Sequence, residues 1–427
     1  MNVRARIGRP RIFEPLGIRD FALLWTGMTV SLLGDGIYFV AIAWQVYEIS
    51  DAPTALSIVG VAWTLPNVLL ILVGGVLSDR FDRRSLMIVS DIVRGLAIGV
   101  IAFLSIAGTL ELWHLVVLVA VYGAGEALFA PAFQAIVPDI VPTEHLVQAN
   151  SLDMLMRPLG AQLVGPAIGG LLVAAFGPGT AFAIDAATFG ISAICLLLMG
   201  RRPLPLREDP ISVRGALADI AEGFRFARSE RWLWTSLLAA ALALLLFFGP
   251  AQVLLPYVIK NDLSGGSGDY GLALAFVGLG SVAAAIVIGQ RQLPRRPIAV
   301  MYGSWVAAMI CVTLWGLAGG VWQILAISVV RGVGISVGLV VWMTLIHTRV
   351  PRHLLGRVSS VDWMLSMSLI PVSFALTGPV ADAFGARETL VASGILGATV
   401  IGLAPFVFGL FREERELGGT YDPARGV

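Results

Sequence analysis

The stretch Gly74-Gly75-Val76-Leu77-Ser78-Asp79-Arg80-Phe81-Asp82-Arg83-Arg84 places five charged residues among eleven, between two long apolar runs. Hydrocarbon accepts such charges only at high cost. The stretch is therefore expected to be a tight loop at a membrane surface, with the flanking runs crossing the bilayer. The two glycines are expected to let the second and third spans approach closely. The arginines are expected to reach acidic groups or helix C-termini in the other half of the chain.

Composition agrees with a membrane chain. The 427 residues are 57% hydrophobic and 13% charged, with a mean hydropathy of +0.85, whereas soluble domains carry about 25% charged residues. A net charge of +1 gives no electrostatic footprint for a nucleic-acid partner. Cys195 and Cys311 each lie inside an apolar run, so no disulfide framework is expected. His114, His145, His347 and His353 fall near segment ends, and none is read as a metal ligand. Arg4, Arg6, Arg9, Arg11 and Arg19 precede an apolar stretch too long for a signal-peptide core, so that stretch is read as the first span.

A spanning helix needs about 20 mostly apolar residues. Twelve segments qualify: 21–49, 54–78, 85–107, 112–137, 150–176, 180–200, 232–258, 270–290, 298–318, 321–347, 358–383 and 386–411. With the N-terminus inside, the inner loops take nearly all the arginines, and the outer loops hold only Lys260 and Arg387. The positive-inside rule then puts both termini in the cytoplasm. Within the long connector, Val213, Leu217, Ile220 and Phe224 recur at helical spacing with charges on the other faces. That pattern predicts an amphipathic helix lying on the inner membrane surface. The chain divides into a cytoplasmic tail (1–20), a six-helix bundle (21–200), a connector (201–231), a second six-helix bundle (232–411) and a second tail (412–427).

The halves register when the chain is shifted by 209 positions: Gly123 and Gly125 meet Gly332 and Gly334, Val141-Pro142 meets Val350-Pro351, and Asp153 meets Asp362. The expected fold is all-α: two six-helix bundles, related by a pseudo-two-fold repeat around a central cavity.

Three stretches carry a resemblance to a known family. Gly75 to Arg84 matches G-x-L-x-D-R-x-x-R-R and resembles the signature loop of the major facilitator superfamily of transporters. In the fifth span, Gly165-Pro166-Ala167-Ile168-Gly169-Gly170 resembles that superfamily's antiporter motif, with Ala161 and Leu152 where upstream glycines are expected. With Pro131-Ala132, Val141-Pro142 and Ala149-Asn150, the chain looks most like the branch of the enterobactin exporter and macrolide-type efflux proteins. The resemblance implies a midplane site lined by spans 1, 4, 7 and 10, exposed alternately to each side. It also implies a gating latch of the hairpin residues Gly75, Asp79, Arg80, Arg83 and Arg84 with Asp362 in span 11.

Ionisable groups at membrane depth mark pathways or coupling sites. Asp35 in the first span and Glu126 in the fourth are the expected proton carriers, because protonation removes a charge that otherwise holds a cationic substrate. Arg331 is expected to pair with one of them, to bind an anionic substrate group, or to lock its own helices. Gln45, Phe248, Gln252 and Trp342 are expected to join Asp35, Glu126 and Arg331 along the substrate cavity. Asp91 with Arg94, near one end of the third span, and Asp153 with Arg157 are read as helix-terminus pairs. Asp185 is read as structural, near the outer end of the sixth span. No Walker A run, HExxH or Ser-His-Asp pattern occurs. The expectation is a secondary active transporter and not an enzyme, with no cofactor or metal. It would be a monomer in a bacterial inner membrane, working on protons and a small-molecule substrate such as a drug or siderophore. An importer or uniporter of a polar metabolite, or a membrane sensor of the same fold, are the alternatives.

Overall fold

The computed structural model describes residues 11–200, 213–291, 294–412 and 414, and among them regular structure is helical with no strand. The helices are α1 (Arg19–Ile49), α2 (Pro53–Arg80), α3 (Arg83–Ile106), α4 (Leu112–Ile140), α5 (Leu146–Arg157), α6 (Gly165–Phe176), α7 (Pro178–Leu198), α8 (Val213–Ser229), α9 (Arg231–Tyr257), α10 (Ser267–Gly289), α11 (Pro297–Leu317), α12 (Val321–Arg349), α13 (Leu355–Ser368), α14 (Ile370–Phe384) and α15 (Ala386–Val407). They make 12 spans long and apolar enough to cross a membrane. Helices are the outcome physics requires, because a segment in lipid must satisfy every backbone N–H and C=O within itself. Phe103, Phe176, Phe384 and Phe406 stay exposed on the outer faces, where acyl chains replace water.

Two spans are composite. The fifth runs from α5 through a π-helical turn, Pro158–Val164, into α6. Pro158 and Pro166 lack the N–H an α-ladder needs, and wider turns of this kind often mark functional positions. The eleventh breaks between α13 and α14 at Leu369, just before Pro371.

The chain forms two compact units. One comprises 1–45 with 62–207, the other 46–61 with 208–427. In the first, α3 packs between α4 and α7. In the second, α11 packs against α12 and α15, and α9 against α14 and α15. The elbow 46–61, which joins α1 to α2, groups with the second unit. The Tyr47 hydroxyl donates to the Val253 carbonyl at 2.7 Å, and Lys260 binds the Tyr47 carbonyl and, at 3.3 Å, Asp51 Oδ1. Thr54 donates to Asp382.

The charged hairpin differs from expectation. Helix α2 continues through Arg80, and only Phe81 and Asp82 interrupt the two helices. Asp82 caps α3 by accepting the Ser85 backbone N–H at 3.0 Å and its hydroxyl at 2.6 Å. Gly74 serves the contact of α2 with α4: a methyl there would lie 2.2 Å from the Ala127 carbonyl oxygen, while Gly75 faces open space. Arg83 reaches the Ala135 carbonyl at 3.0 Å and the Asp139 carboxylate. Arg84 donates to the Leu196 and Leu197 carbonyls at 2.6 and 2.7 Å. These arginines satisfy the last turns of α4 and α7, in their own unit, where cations are favourable. Arg80 is exposed, and the side chain of Asp79 lies outside the described residues.

The connector helix is present as α8. Arg357 of α13 donates to Glu222 at 2.7 Å, Gly223 lies against the Arg357 backbone, and the rings of Phe224 and Trp234 meet at 5.1 Å. Its described part is thus docked on α13 and α9, while the side chains of Val213 and Leu217 lie outside the described residues.

Candidate functional site

The segment Leu33-Gly34-Asp35-Gly36 of α1 is gripped from three sides. A methyl on Gly34 would sit 2.3 Å from both Asp185 Oδ1 and Thr188 Oγ1 of α7. A methyl on Gly36 would sit 2.7 Å from Gly165 Cα and 2.8 Å from Pro166 Cδ. One on Gly169 would fall 2.8 Å from Ile37 Cα. The glycine-proline run of the fifth span, with Gly165, Pro166, Gly169 and Gly170 all buried, is therefore the surface on which α1 rests. Small residues give this backbone-to-backbone approach, which is how helices gain packing energy in lipid.

Between the two glycines, Asp35 faces α4. The Tyr122 hydroxyl donates to Asp35 Oδ1 at 2.8 Å, and the Tyr122 ring stacks on Tyr38 at 5.1 Å. One turn along α4, Glu126 Oε2 accepts from Trp63 Nε1 at 2.8 Å and Asn67 Nδ2 at 3.0 Å, both on α2. From α3, Arg94 bonds Asp91 Oδ1 at 2.6 Å, and its guanidinium lies 4.7 Å from the Phe129 ring centre and 4.6 Å from that of Phe189. Asp185 is fully buried; Thr188 Oγ1 approaches its Oδ1 at 3.3 Å, and its Oδ2 has no hydrogen-bond partner.

Two placements are corrected. Asp91 and Arg94 are 1% and 4% exposed near the middle of α3, not a pair at its end, because that face of the helix packs between α4 and α7. Asp185 lies inside the unit against α1, not at its rim, because Gly34 leaves room for its carboxyl. Asp153 and Arg157 do form the expected pair, Nε to Oδ2 at 3.0 Å.

The first unit thus gathers Asp35, Asp91, Glu126 and Asp185 around Arg94, and of these acids only Asp91 is in ion-pair contact among the described residues. Asp91 and Asp185 are buried and Asp35 and Glu126 half-buried; charges withdrawn from water without a partner are costly, and Coulomb forces strengthen there. Gaining a proton or a nearby cation therefore changes the energy of this cluster far more than at a surface. Tyr122, Trp63, Asn67 and Asp185 were not singled out as site residues by sequence; the glycines flanking Asp35 were the available signal. The same unit holds a cavity of about 280 Å³ lined by Phe21, Trp25 and Met28 of α1, Phe133 and Gln134 of α4, and Asp153 of α5.

The remaining expected residues are distributed differently. Gln45 is buried and accepts a hydrogen bond from Ser105, so its amide is spent on packing α1 against α3. In the second unit, Trp342 is buried and donates to Asp362 Oδ2 at 3.1 Å, while Ser366 donates to Asp362 Oδ1 at 3.4 Å. Trp342 and Asp362 therefore lock α12 to α13. Arg331 has its guanidinium 4.8 Å from the Trp315 ring and 5.9 Å from that of Phe247, and its Nε has no hydrogen-bond partner. Phe248 is half-buried with its ring edge-on to Phe374 at 5.9 Å, and Gln252, one turn on, is half-buried too.

A family model described as "transmembrane secretion effector" matches residues 11–414. The multidrug efflux pump Tap of Mycobacterium tuberculosis is 30% identical over 372 residues, which is 84% of this chain and 86% of that protein. Macrolide efflux protein A of Streptococcus pyogenes is 23% identical over 394 residues, 91% of this chain and 95% of that protein. The crystal structure of the nucleoside transporter NupG superposes with a TM-score of 0.70 at 10% identity, over 94% of this chain and 100% of that one, a likeness of fold alone.

Proposed function

We propose, from the premise that this chain belongs to the transmembrane secretion effector family of major facilitator transporters, that it exports small amphipathic molecules in exchange for protons. The efflux names of Tap and macrolide efflux protein A support export as the direction, and molecules of drug type as the substrate class. The arginine-rich inner loops support a bacterial cytoplasmic membrane with both termini inside.

The observation that carries the coupling is Asp35: a half-buried carboxyl of the first unit, held by a neutral hydroxyl and in no ion-pair contact among the described residues. Ionised, it accepts the Tyr122 hydrogen bond and attracts the cationic end of an amphipathic molecule. Protonated, it is neutral and releases that molecule. Proton and substrate then compete for one group, which is what exchange requires. Glu126 is the second carrier, its charged form supported by the Trp63 and Asn67 donors. Helices α1 and α4 rest on glycine contacts, so a charge change at Asp35 acts on tightly packed helices rather than on a soft loop. Such a change selects between pre-existing arrangements of the bundle by its differential energy in each.

The test is efflux of ethidium from the cytoplasmic side, read as its uptake into everted vesicles carrying the full-length protein. Efflux is expected to collapse when the proton gradient is dissipated, and Asp35→Asn is expected to lower it at least about tenfold. Ethidium efflux that continues unchanged without a gradient overturns the coupling.

A further inference from the structure

Asp185 is a carboxyl that the competition between proton and substrate at Asp35 leaves unused. It is fully buried in α7, it makes no ion pair among the described residues, and one of its oxygens has no hydrogen-bond partner. Its surroundings are not those of a structural cap. Thr188 gives its hydroxyl mainly to the Asp185 backbone carbonyl at 2.7 Å and only weakly to Oδ1 at 3.3 Å. The carboxyl presses instead on α1: Oδ1 lies 2.3 Å from where a Gly34 Cβ would stand, one residue from Asp35. A glycine at 34 is the one residue that admits this carboxyl beside the α1 backbone.

The charged and titratable groups that act on Asp185 come from each packed neighbour: Asp35 and Tyr38 from α1, Arg94 from α3, and Tyr122 from α4. Arg94 is committed to Asp91, and Arg157, which also acts on Asp35, to Asp153, so neither guanidinium is paired with Asp35 or Asp185. Two carboxyls sharing an interior in this way do not ionise independently: losing a proton from one makes losing it from the other harder.

We propose that Asp185, in addition to Asp35 and Glu126, is a proton-carrying carboxyl of this protein, coupled to Asp35 across the Gly34 backbone. This rests on the reading of Asp35 as a proton carrier. With both carboxyls protonated the pair is neutral. When a cation approaches Asp35, one proton leaves to solution, the Asp35 carboxylate holds the cation, and the remaining proton stays on Asp185. When the cation leaves, a proton from solution restores the neutral pair. With the cation bound, the one remaining proton sits on Asp185, which keeps two negative charges from coexisting there.

The test is infrared difference spectroscopy of the full-length protein in lipid, with pH as the only variable. Protonated carboxyl C=O bands are assigned by removing them one at a time with Asp35→Asn and Asp185→Asn. The expected result is that each variant removes one titrating band and moves the midpoint of the other by about one pH unit or more. A band for Asp35 whose midpoint is unmoved in Asp185→Asn overturns the pairing, as does the absence of any titrating band assignable to Asp185. If Asp185→Asn fails to fold, Asp185→Glu keeps a carboxyl and is expected to replace the Asp185 band by one at another frequency; a spectrum without that replacement overturns the assignment. Absence of a titrating band from Asp35 itself, with gradient-independent ethidium efflux, is the failure of the exchange reading and is read separately from these outcomes.

Discussion

The Tyr122 hydroxyl donates to Asp35 Oδ1 at 2.8 Å, tying α4 to α1 across 87 residues of sequence. A hydrogen bond to an ionised group is worth about 1.5–3 kcal/mol, roughly twice a neutral one. Tyr122 therefore supports the charged form of Asp35 more than the neutral form. Tyr122→Phe keeps the ring stacked on Tyr38 and removes only this donor. It is expected to leave expression near wild type with a modest loss of thermal stability, to move the pH midpoint of ethidium efflux, and to lower efflux about tenfold. An unaltered pH profile would separate the tyrosine from the coupling.

Glycines that look alike in the sequence differ sharply in the structure. Gly74→Ala is expected to destabilise, because its methyl meets the Ala127 carbonyl of α4, whereas Gly75→Ala is expected to be neutral because the site is open. Overpacking of this kind costs about 1–3 kcal/mol. Gly36→Ala and Gly165→Ala belong with Gly74, since each methyl would strike the partner glycine's backbone. Melting temperatures in detergent, read for the four variants side by side, check the order.

The spans were legible because hydrocarbon thickness and backbone hydrogen bonding leave few options for an apolar run of about 20 residues. The hairpin was read as a loop because its charges were taken to mark the end of a helix. A helix can carry charges beyond the bilayer as long as its own ladder is intact, and α2 does so through Arg80. Asp91, Arg94 and Asp185 lie within the expected spans but deeper than the expected helix ends. Hydropathy locates a span without its rotation, and about 100° separates successive residues around a helix. Asp35 and Glu126 stood out as isolated acids, but Tyr122, Trp63 and Asn67 are ordinary residues in an apolar run until folding brings them within 3.0 Å of those acids.

Arg94 is expected to be needed for folding because of Asp91. Its guanidinium bonds Asp91 at 2.6 Å and lies between the rings of Phe129 and Phe189. Removing one partner of a buried pair typically costs about 3–5 kcal/mol, mostly from the charge left behind. Arg94→Leu alone should therefore lower yield and melting temperature severely, and Arg94→Leu with Asp91→Asn should recover much of the loss. Thermal unfolding of the single and double variants decides this: simple additivity would show that the two side chains act independently.

Lys260, the one lysine of the chain, binds the elbow between α1 and α2 within the second unit, through the Tyr47 carbonyl and Asp51. Tyr47 is buried, and its hydroxyl binds the Val253 carbonyl at 2.7 Å, while Thr54 binds Asp382 on the other side of the elbow. The exposed Asp51 contributes little, since surface ion pairs are worth about 0–1 kcal/mol. The buried carbonyl is the stronger partner, because leaving such an acceptor unpaired costs about 1–3 kcal/mol. Asp51→Asn is therefore expected to be near neutral, and Lys260→Met, which keeps the apolar stem, to loosen the elbow. Labelling of a cysteine placed at exposed Ala52, in a background with Cys195 and Cys311 replaced by serine, measures this loosening. Faster labelling in Lys260→Met than in Asp51→Asn is the expected outcome; equal rates would assign the elbow's hold to Tyr47 and Thr54 instead.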